Sequence, residues 1–154
     1  MKAQLFLFSL AGMMCLASCK KPPTTSTDIL ATTNSPARAQ GHDYFLLTSI
    51  SDDKTYGVTA ENPINVGGGY ETGVQNQRTY LNSILGPNGE PIRYQRLGSC
   101  CSFRTSNSEM GLGMLDQYQV TWEGQRKPVV LFINLYDEGP LEAPKGFSLR
   151  INQE

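Results

Sequence analysis

Histidine is almost missing from this chain of 154 residues, and its charges nearly cancel. The one histidine, His42, cannot by itself build a histidine-rich zinc site or a Ser-His-Asp triad. The formal net charge is −1 at pH 7, and no basic stripe is present to meet phosphate, which argues against nucleic acid as a partner. We therefore predict no catalytic residues, no metal ligands and no cofactor.

Long apolar runs are also scarce. The longest, residues 5–16 (LFLFSLAGMMCL), is shorter than the roughly 20 apolar residues that cross a hydrocarbon core of about 30 Å. It follows Lys2 and is typical of the hydrophobic region of a signal peptide, so we predict that residues 1–18 are a cleaved leader. The alternative is an ordinary secretory signal followed by an incidental cysteine.

The tetrapeptide LASC at residues 16–19 resembles the lipobox of bacterial prolipoproteins. This resemblance implies cleavage before Cys19 and attachment of lipid, with palmitate-type acyl chains, to its thiol. Two or more acyl chains hold a protein stably on a membrane. Cys15 is the rival position, but the residues before it lack the leucine and the adjacent small residue. By resemblance to lipoprotein sorting rules, the lysines at 20–21 imply the outer membrane, facing the periplasm.

The segment that follows is poor in large apolar residues and rich in Pro, Thr, Ser and Ala. Such a segment cannot bury enough surface to offset its ordering entropy. We predict that residues 19–41 are a lipidated flexible tether and that residues 42–154 form a single domain, a common size for one core.

Cysteine is scarce in that domain. With the signal removed and Cys19 lipidated, only the adjacent Cys100 and Cys101 remain. Adjacent Cα atoms lie about 3.8 Å apart, below the usual disulfide range of about 4.4–6.8 Å, so a vicinal disulfide would form a rigid, redox-sensitive turn. The alternative is two thiols on opposite faces of a strand, at least one of them buried. Arg96 and Arg104 flank the pair and could favour thiolates.

Hydrophobic periodicity predicts one amphipathic helix. Thr72 is a suitable N-cap, Gly86 a suitable C′ residue, and Pro87 prevents continuation. The residues that recur at helical spacing are Val74, Gln77, Tyr80, Leu81, Ile84 and Leu85.

The rest of the domain favours strands. The segment 129–136 (VVLFINLY) is apolar on both faces, which is typical of a central buried strand, and the last strand is expected at an edge. One helix packed on a small, largely antiparallel sheet gives an α+β fold. The predicted strands cover residues 44–51, 92–101, 117–123, 129–136 and 147–151.

Two loops suggest weaker binding sites. The glycines 67–69 precede the helix and could cradle an anion at its N-terminus, but no phosphate-binding motif is present, and a flexible loop is the default interpretation. Asp137, Glu138 and Glu142 could gather calcium, but EF-hand spacing is absent and solvated acids are the simpler interpretation.

Three segments carry a resemblance to a known family: TYGVTAENPINVGGGY, QNQRTYLNSILGPNGEPIRYQRLGSCC and KPVVLFINLYDEGPLEAPKGF. Together they resemble small envelope lipoproteins from Bacteroidota-type bacteria, over about residues 56–147. Some members of that family carry the name 2-dehydro-3-deoxyphosphooctonate aldolase. That aldolase is a TIM barrel, which needs about 250 residues and eight βα units, whereas this chain has one credible helix.

These features favour a non-enzymatic envelope module that is anchored by lipid and binds a protein partner or helps to organise a membrane complex. A small-ligand or glycan binder is the first alternative, using the glycine loop and the aromatic face formed by Tyr118, Val120 and Trp122. An enzyme, as the aldolase name implies, is the second alternative.

Overall fold

The computed structural model describes Arg38 and residues 43–150. The predicted signal peptide, Cys19, His42 and the predicted tether other than Arg38 lie outside the described residues. Among the described residues, no helix has the length and hydropathy needed to span a bilayer. The elements are β1 (Ile64–Asn65), α1 (Gly69–Leu81), β2 (Ile84–Leu85), β3 (Arg93–Arg104), β4 (Leu112–Thr121), β5 (Val129–Asn134) and β6 (Ser148–Leu149).

The strands form a four-stranded sheet in the order β1-β5-β4-β3 and a two-stranded sheet of β2 and β6. Strand β1 runs parallel to β5, and the other pairings are antiparallel. One helix with largely antiparallel strands confirms the predicted α+β class for the described part of the chain. Strand β5 lies between β4 and β1, so the prediction of an internal strand is also confirmed.

The start of the helix was predicted too late. Gly68, not Thr72, is the N-cap residue, and no side chain caps the helix. The glycines 67–69 all have positive φ, a conformation that glycine adopts without steric cost, and they turn the chain sharply from β1 into α1. The Gly69 N–H donates to the Leu135 carbonyl at 2.7 Å, which fixes the helix start against the end of β5.

The end of the helix was predicted too far along the chain, because Ile84 and Leu85 belong to β2 and not to the helix. Ile84 is fully buried, which both helix and strand periodicity allow, and pairing with β6 decides between them. Gly86 is not a helix C′ residue either, since its N–H closes a turn onto the Glu90 carbonyl at 2.8 Å.

The helix packs on the sheet through one stripe of buried residues. Tyr80 and Leu81 belong to the hydrophobic core, together with residues of β4 and β5. Gly73 allows the close approach, since an added Cβ would lie 2.7 Å from the Leu135 Cβ. The buried residues of the helix are Gly73, Gln77, Thr79, Tyr80 and Leu81.

Strands β3 and β4 extend well beyond the predicted bounds. They pair from Arg93↔Thr121 to Arg104↔Leu112, and the Thr105 N–H donates to the Gly111 carbonyl across the connecting loop. The sequence pattern made the connecting loop too long, because glycines and polar residues weaken the strand pattern at this end of the hairpin.

Strand β5 ends at Asn134, two residues before the predicted end. The Asn134 Oδ1 accepts the backbone N–H of Tyr136 at 2.8 Å and that of Asp137 at 3.3 Å. An asparagine side chain that binds the backbone in this way replaces the ladder by a turn.

The predicted strand over 44–51 is wrong. The segment makes only isolated bridges, Arg38↔Phe45 and Ile50↔Ala143, while Leu47 is buried in the core. Because the Phe45 N–H donates to the Ser83 hydroxyl, its backbone polar group is satisfied without a continuous ladder. The last predicted strand is reduced to β6, an edge strand of the small sheet.

Candidate functional site

The adjacent cysteines lie on β3, the strand at the outer edge of the large sheet. Cys100 pairs with Leu115 and Ser102 pairs with Met114, so Cys101 is an extra residue in β3 and forms a β-bulge. Cys101 is exposed and Cys100 is half-buried. The structure joins the two sulfur atoms. The oxidation state of the pair in its natural surroundings stays a prediction.

The bulge imposes an uncommon backbone conformation on Cys101. Its φ is 53°, and it is the one non-glycine residue with positive φ among the described residues. The left-handed region costs a residue with a Cβ atom about 1–2 kcal/mol. The surrounding structure must offset this cost, and the covalent ring with Cys100 is the local constraint that can do so.

Next to the cysteines, the sheet contains a buried carboxylate, Asp116 of β4. Its Oδ1 accepts from the Ser99 hydroxyl at 2.7 Å and from an Arg96 guanidinium nitrogen at 2.6 Å. Its Oδ2 accepts from the Gln77 amide of helix α1 at 2.9 Å, and the Tyr118 hydroxyl donates to the Gln77 Oε1 at 2.8 Å. We call these five residues the Asp116 network, and it ties α1 and β4 to the strand that carries the cysteines.

The network holds Asp116 ionised. Burial by itself would raise the pKa of Asp116, but hydrogen bonds from Arg96, Ser99 and Gln77 and the positive charge of Arg96 lower it below its ordinary value. The hydrogen bond to Asp116 raises the pKa of Arg96 in turn. The side chain of Asp116 is 5% exposed and that of Arg96 is 48% exposed, so the pair joins a buried anion to a cation that water still reaches.

This arrangement bears on the two arginines, Arg96 and Arg104, that could favour thiolates by their charge. Arg96 gives its charge to Asp116 and a second hydrogen bond to Ser99 at 2.6 Å, so it is not a free cation beside the cysteines. Arg104 ends β3 and is exposed. Arg96 is thus engaged by Asp116 and Ser99 and is not dedicated to either sulfur.

An exposed apolar surface lies on the same β3–β4 hairpin. Met110, in its loop, is 83% exposed, and Leu112 and Met114 of β4 are half exposed. Leu97, in β3, sits at a second register shift, between Arg96 and Gly98. Of the seven large exposed apolar residues in the described part of the chain, four lie on this hairpin, which we call the apolar hairpin surface. Apolar residues that are exposed in one contiguous patch mark interaction sites on proteins.

The predicted aromatic face divides between core and surface. Tyr118 and Val120 are buried under the helix, so they cannot line a groove. Trp122 is half-buried, and its ring meets that of Phe147 edge to face at 5.3 Å. It also borders an open groove of about 650 Å³, which is lined by Pro91, Ile92, Arg93, Thr121, Trp122 and Glu123.

The glycine loop has no room for an anion at Gly67. A Cβ added to that residue would overlap the Glu138 side chain, which therefore already packs against the loop. The acidic side chains of the following loop are not brought together. Asp137 accepts from Thr105 and Asn107, whereas Glu142 accepts from Ser49. Among residues 43–150, no three His, Cys, Asp or Glu side chains are grouped as a metal site would require.

Sequence reasoning identified the cysteines but missed the Asp116 network. The available signal was a polar residue at an inward position: Gln77 falls on the buried stripe of the helix, and Asp116 shares the face of Tyr118 and Val120 at period two. No family model matches this chain, and no characterised protein or solved structure is significantly similar to it. The candidate site is therefore defined by its own geometry.

Proposed function

We propose that this chain is an envelope lipoprotein, anchored through lipid on Cys19 to the outer membrane and facing the periplasm, whose domain binds a protein partner and catalyses no reaction. The signal-like run and the LASC tetrapeptide support the anchor. The apolar hairpin surface supports the binding role, and it is the observation that carries the proposal.

The surface favours a protein over a small molecule because its exposed side chains are apolar and flexible. Met110 and Met114 contribute unbranched thioethers, which adapt to differently shaped partners. Leu112 and Met114 alternate along β4, so they project from the same side of the strand. The partner would bind through side chains, because the two irregularities in β3 interrupt the edge that a continuous added strand would need.

The test uses a photo-crosslinking residue at position 114 in intact cells. Met114 is 45% exposed, and Ile50, outside the hairpin, is 46% exposed, so the same residue at position 50 is a matched control. We expect an adduct of one defined mass from position 114 that disappears when Leu112→Ser is added. Equal labelling from both positions, or none from position 114, would contradict the proposal.

The anchor has a separate test. We expect Cys19→Ser to move the protein from the membrane fraction to the soluble fraction, because the lipidated thiol is lost. Cys15→Ser is the matched control and should leave the protein with the membrane. If Cys19→Ser also stays in the membrane fraction, the assignment of the lipidated residue is wrong.

A small-ligand or glycan binder is the second candidate, and the groove beside Trp122 favours it. Trp122 is the one tryptophan of the chain, so its fluorescence reports this groove without labelling. Saturable quenching by cell-wall oligosaccharides, lost in Arg93→Ala, would support this function. An unchanged spectrum across such a series would exclude the groove as a glycan site.

A further inference from the structure

We propose that Cys100 and Cys101 form a thiol–disulfide exchange site for an external dithiol, and that the oxidation state of the pair controls the bulge in β3. This inference goes beyond the binding role proposed above and does not depend on it.

The first argument is access. Thiol–disulfide exchange needs a thiolate to approach one sulfur in line with the bond that breaks. Cys101 is exposed, and β3 is an edge strand that pairs only with β4 among the described residues, so its other edge is open. Cys100 is half-buried, so attack at Cys101 leaves Cys100 as the departing sulfur on the protected side.

The chemistry selects a dithiol and not a monothiol. A thiolate of the dithiol attacks the Cys101 Sγ, the Sγ–Sγ bond breaks, and Cys100 leaves as a thiolate that takes up a proton. The second thiol of the substrate then attacks the mixed disulfide, which releases Cys101 as a thiol and oxidises the substrate to its own disulfide. Two electrons and two protons pass to the cysteine pair. A monothiol has no such second step, and the adjacent Cys100 would expel it.

The second argument is the backbone. Cys101 is the one non-glycine residue that β3 holds at positive φ, and the ring with Cys100 is the local constraint. Opening the ring removes that constraint, and Cys101 can then move to the β region that residues with a Cβ atom prefer. The bulge depends on this conformation, because Cys101 is the residue without a partner in β4.

The third argument is coupling to the interior. Ser99 precedes the cysteines, pairs with Asp116 and donates a hydrogen bond to its carboxylate. Ser102 follows them and pairs with Met114 of the apolar hairpin surface. A change in register at the bulge therefore alters both the Asp116 network and the exposed surface.

The experiment starts with the full chain, purified without reductant. The folded protein is incubated with dithiothreitol and its oxidised form at stepped ratios, quenched with acid, alkylated and digested with trypsin. Cleavage after Arg96 and Arg104 releases both cysteines in one peptide, residues 97–104, separate from Cys15 and Cys19. We expect this peptide to carry two alkyl groups in samples quenched at reducing ratios. It should carry none in samples that are returned to oxidising ratios before they are quenched and alkylated. The domain should stay folded throughout, as circular dichroism would show.

Two results would overturn the exchange site. One is a pair that stays oxidised under full reducing conditions until the domain is denatured. The other is a pair of free thiols in the purified protein that oxidised glutathione does not join.

The link to the bulge is tested by hydrogen exchange of the β3 amides. Reduction should accelerate exchange in β3 more than in β5. The double variant Cys100→Ser, Cys101→Gly can keep positive φ without sulfur, whereas Cys100→Ser, Cys101→Ser cannot do so without strain. We expect the glycine variant to exchange like the oxidised protein and the serine variant like the reduced protein. Identical exchange in oxidised and reduced wild-type protein would refute control of the bulge.

Discussion

Replacing Asp116 with alanine should destabilise the domain by about 3 kcal/mol. A hydrogen bond to a charged group contributes roughly 1.5–3 kcal/mol, and a buried donor left without a partner costs about 1–3 kcal/mol. Gln77 is fully buried and would lose the acceptor for its amide. Arg96 is 48% exposed and can hydrogen-bond to water instead, so the loss of its ion pair adds at most about 1 kcal/mol to the destabilisation.

Asparagine at the same position should cost less, about 1–2 kcal/mol. The carboxylate of Asp116 accepts at both oxygens, whereas asparagine offers one acceptor and one donor. The Gln77 side chain can turn over, so that its oxygen accepts from the new amide and its nitrogen donates to the Tyr118 hydroxyl. This exchange of roles preserves the buried hydrogen bonds and weakens only those to Arg96 and Ser99.

Urea unfolding measures both changes. With an m value of about 1–3 kcal/mol/M, the Asp116→Ala midpoint should fall by about 1–3 M without a change in m. Asp52→Ala, an exposed aspartate, is the control and should change stability by less than about 0.5 kcal/mol. A loss below about 1 kcal/mol for Asp116→Ala, or equal losses for alanine and asparagine, would refute the account of the network.

Two further predictions concern pH and packing. The pKa values of Asp116 and Asp137 are lowered in the folded state, so their contribution to folding stability is fully present above the unfolded pKa of about 3.9 and is lost as pH falls below it. Urea unfolding at stepped pH should show this loss of stability, and the loss should be smaller in Asp116→Asn. Gly73→Ala should destabilise the domain by about 1–3 kcal/mol in the same assay, because its Cβ would overlap Leu135. The control, Gln75→Ala at an exposed position of the same helix, should not destabilise it. Equal stability of the two variants would refute the close approach of the helix to Leu135.

The sequence predicts the fold class because its strongest patterns are local. Residues 129–133 are continuously apolar, and burial between two strands follows directly from that pattern. The alternation of Tyr118 and Val120 likewise predicts the inner face of β4. The errors occur where long-range pairing decides, since Ile84 is buried in either a helix or a strand, and only β6 makes it a strand.

The candidate site is less predictable for a related reason. Adjacent cysteines are visible in the sequence, but the bulge at Cys101 depends on how β3 registers against β4. The Asp116 network needs three elements, α1, β3 and β4, to be brought together by the fold, and the sequence spacing between Gln77 and Asp116 carries no sign of it. The sequence signal of such a network is a polar residue at an inward-facing position.

The contacts of Arg38 limit how far the domain can lie from the proposed lipid anchor. Its guanidinium donates to the Thr79 hydroxyl at 2.7 Å, and its backbone bridges to Phe45, so Arg38 is held on the domain. On a chain lipidated at Cys19, the segment 20–38 then spans at most about 65 Å when fully extended. With the anchor at Cys19, Arg38 must lie within that radius of the membrane, and each residue inserted between Cys19 and Arg38 widens the radius by roughly 3.5 Å.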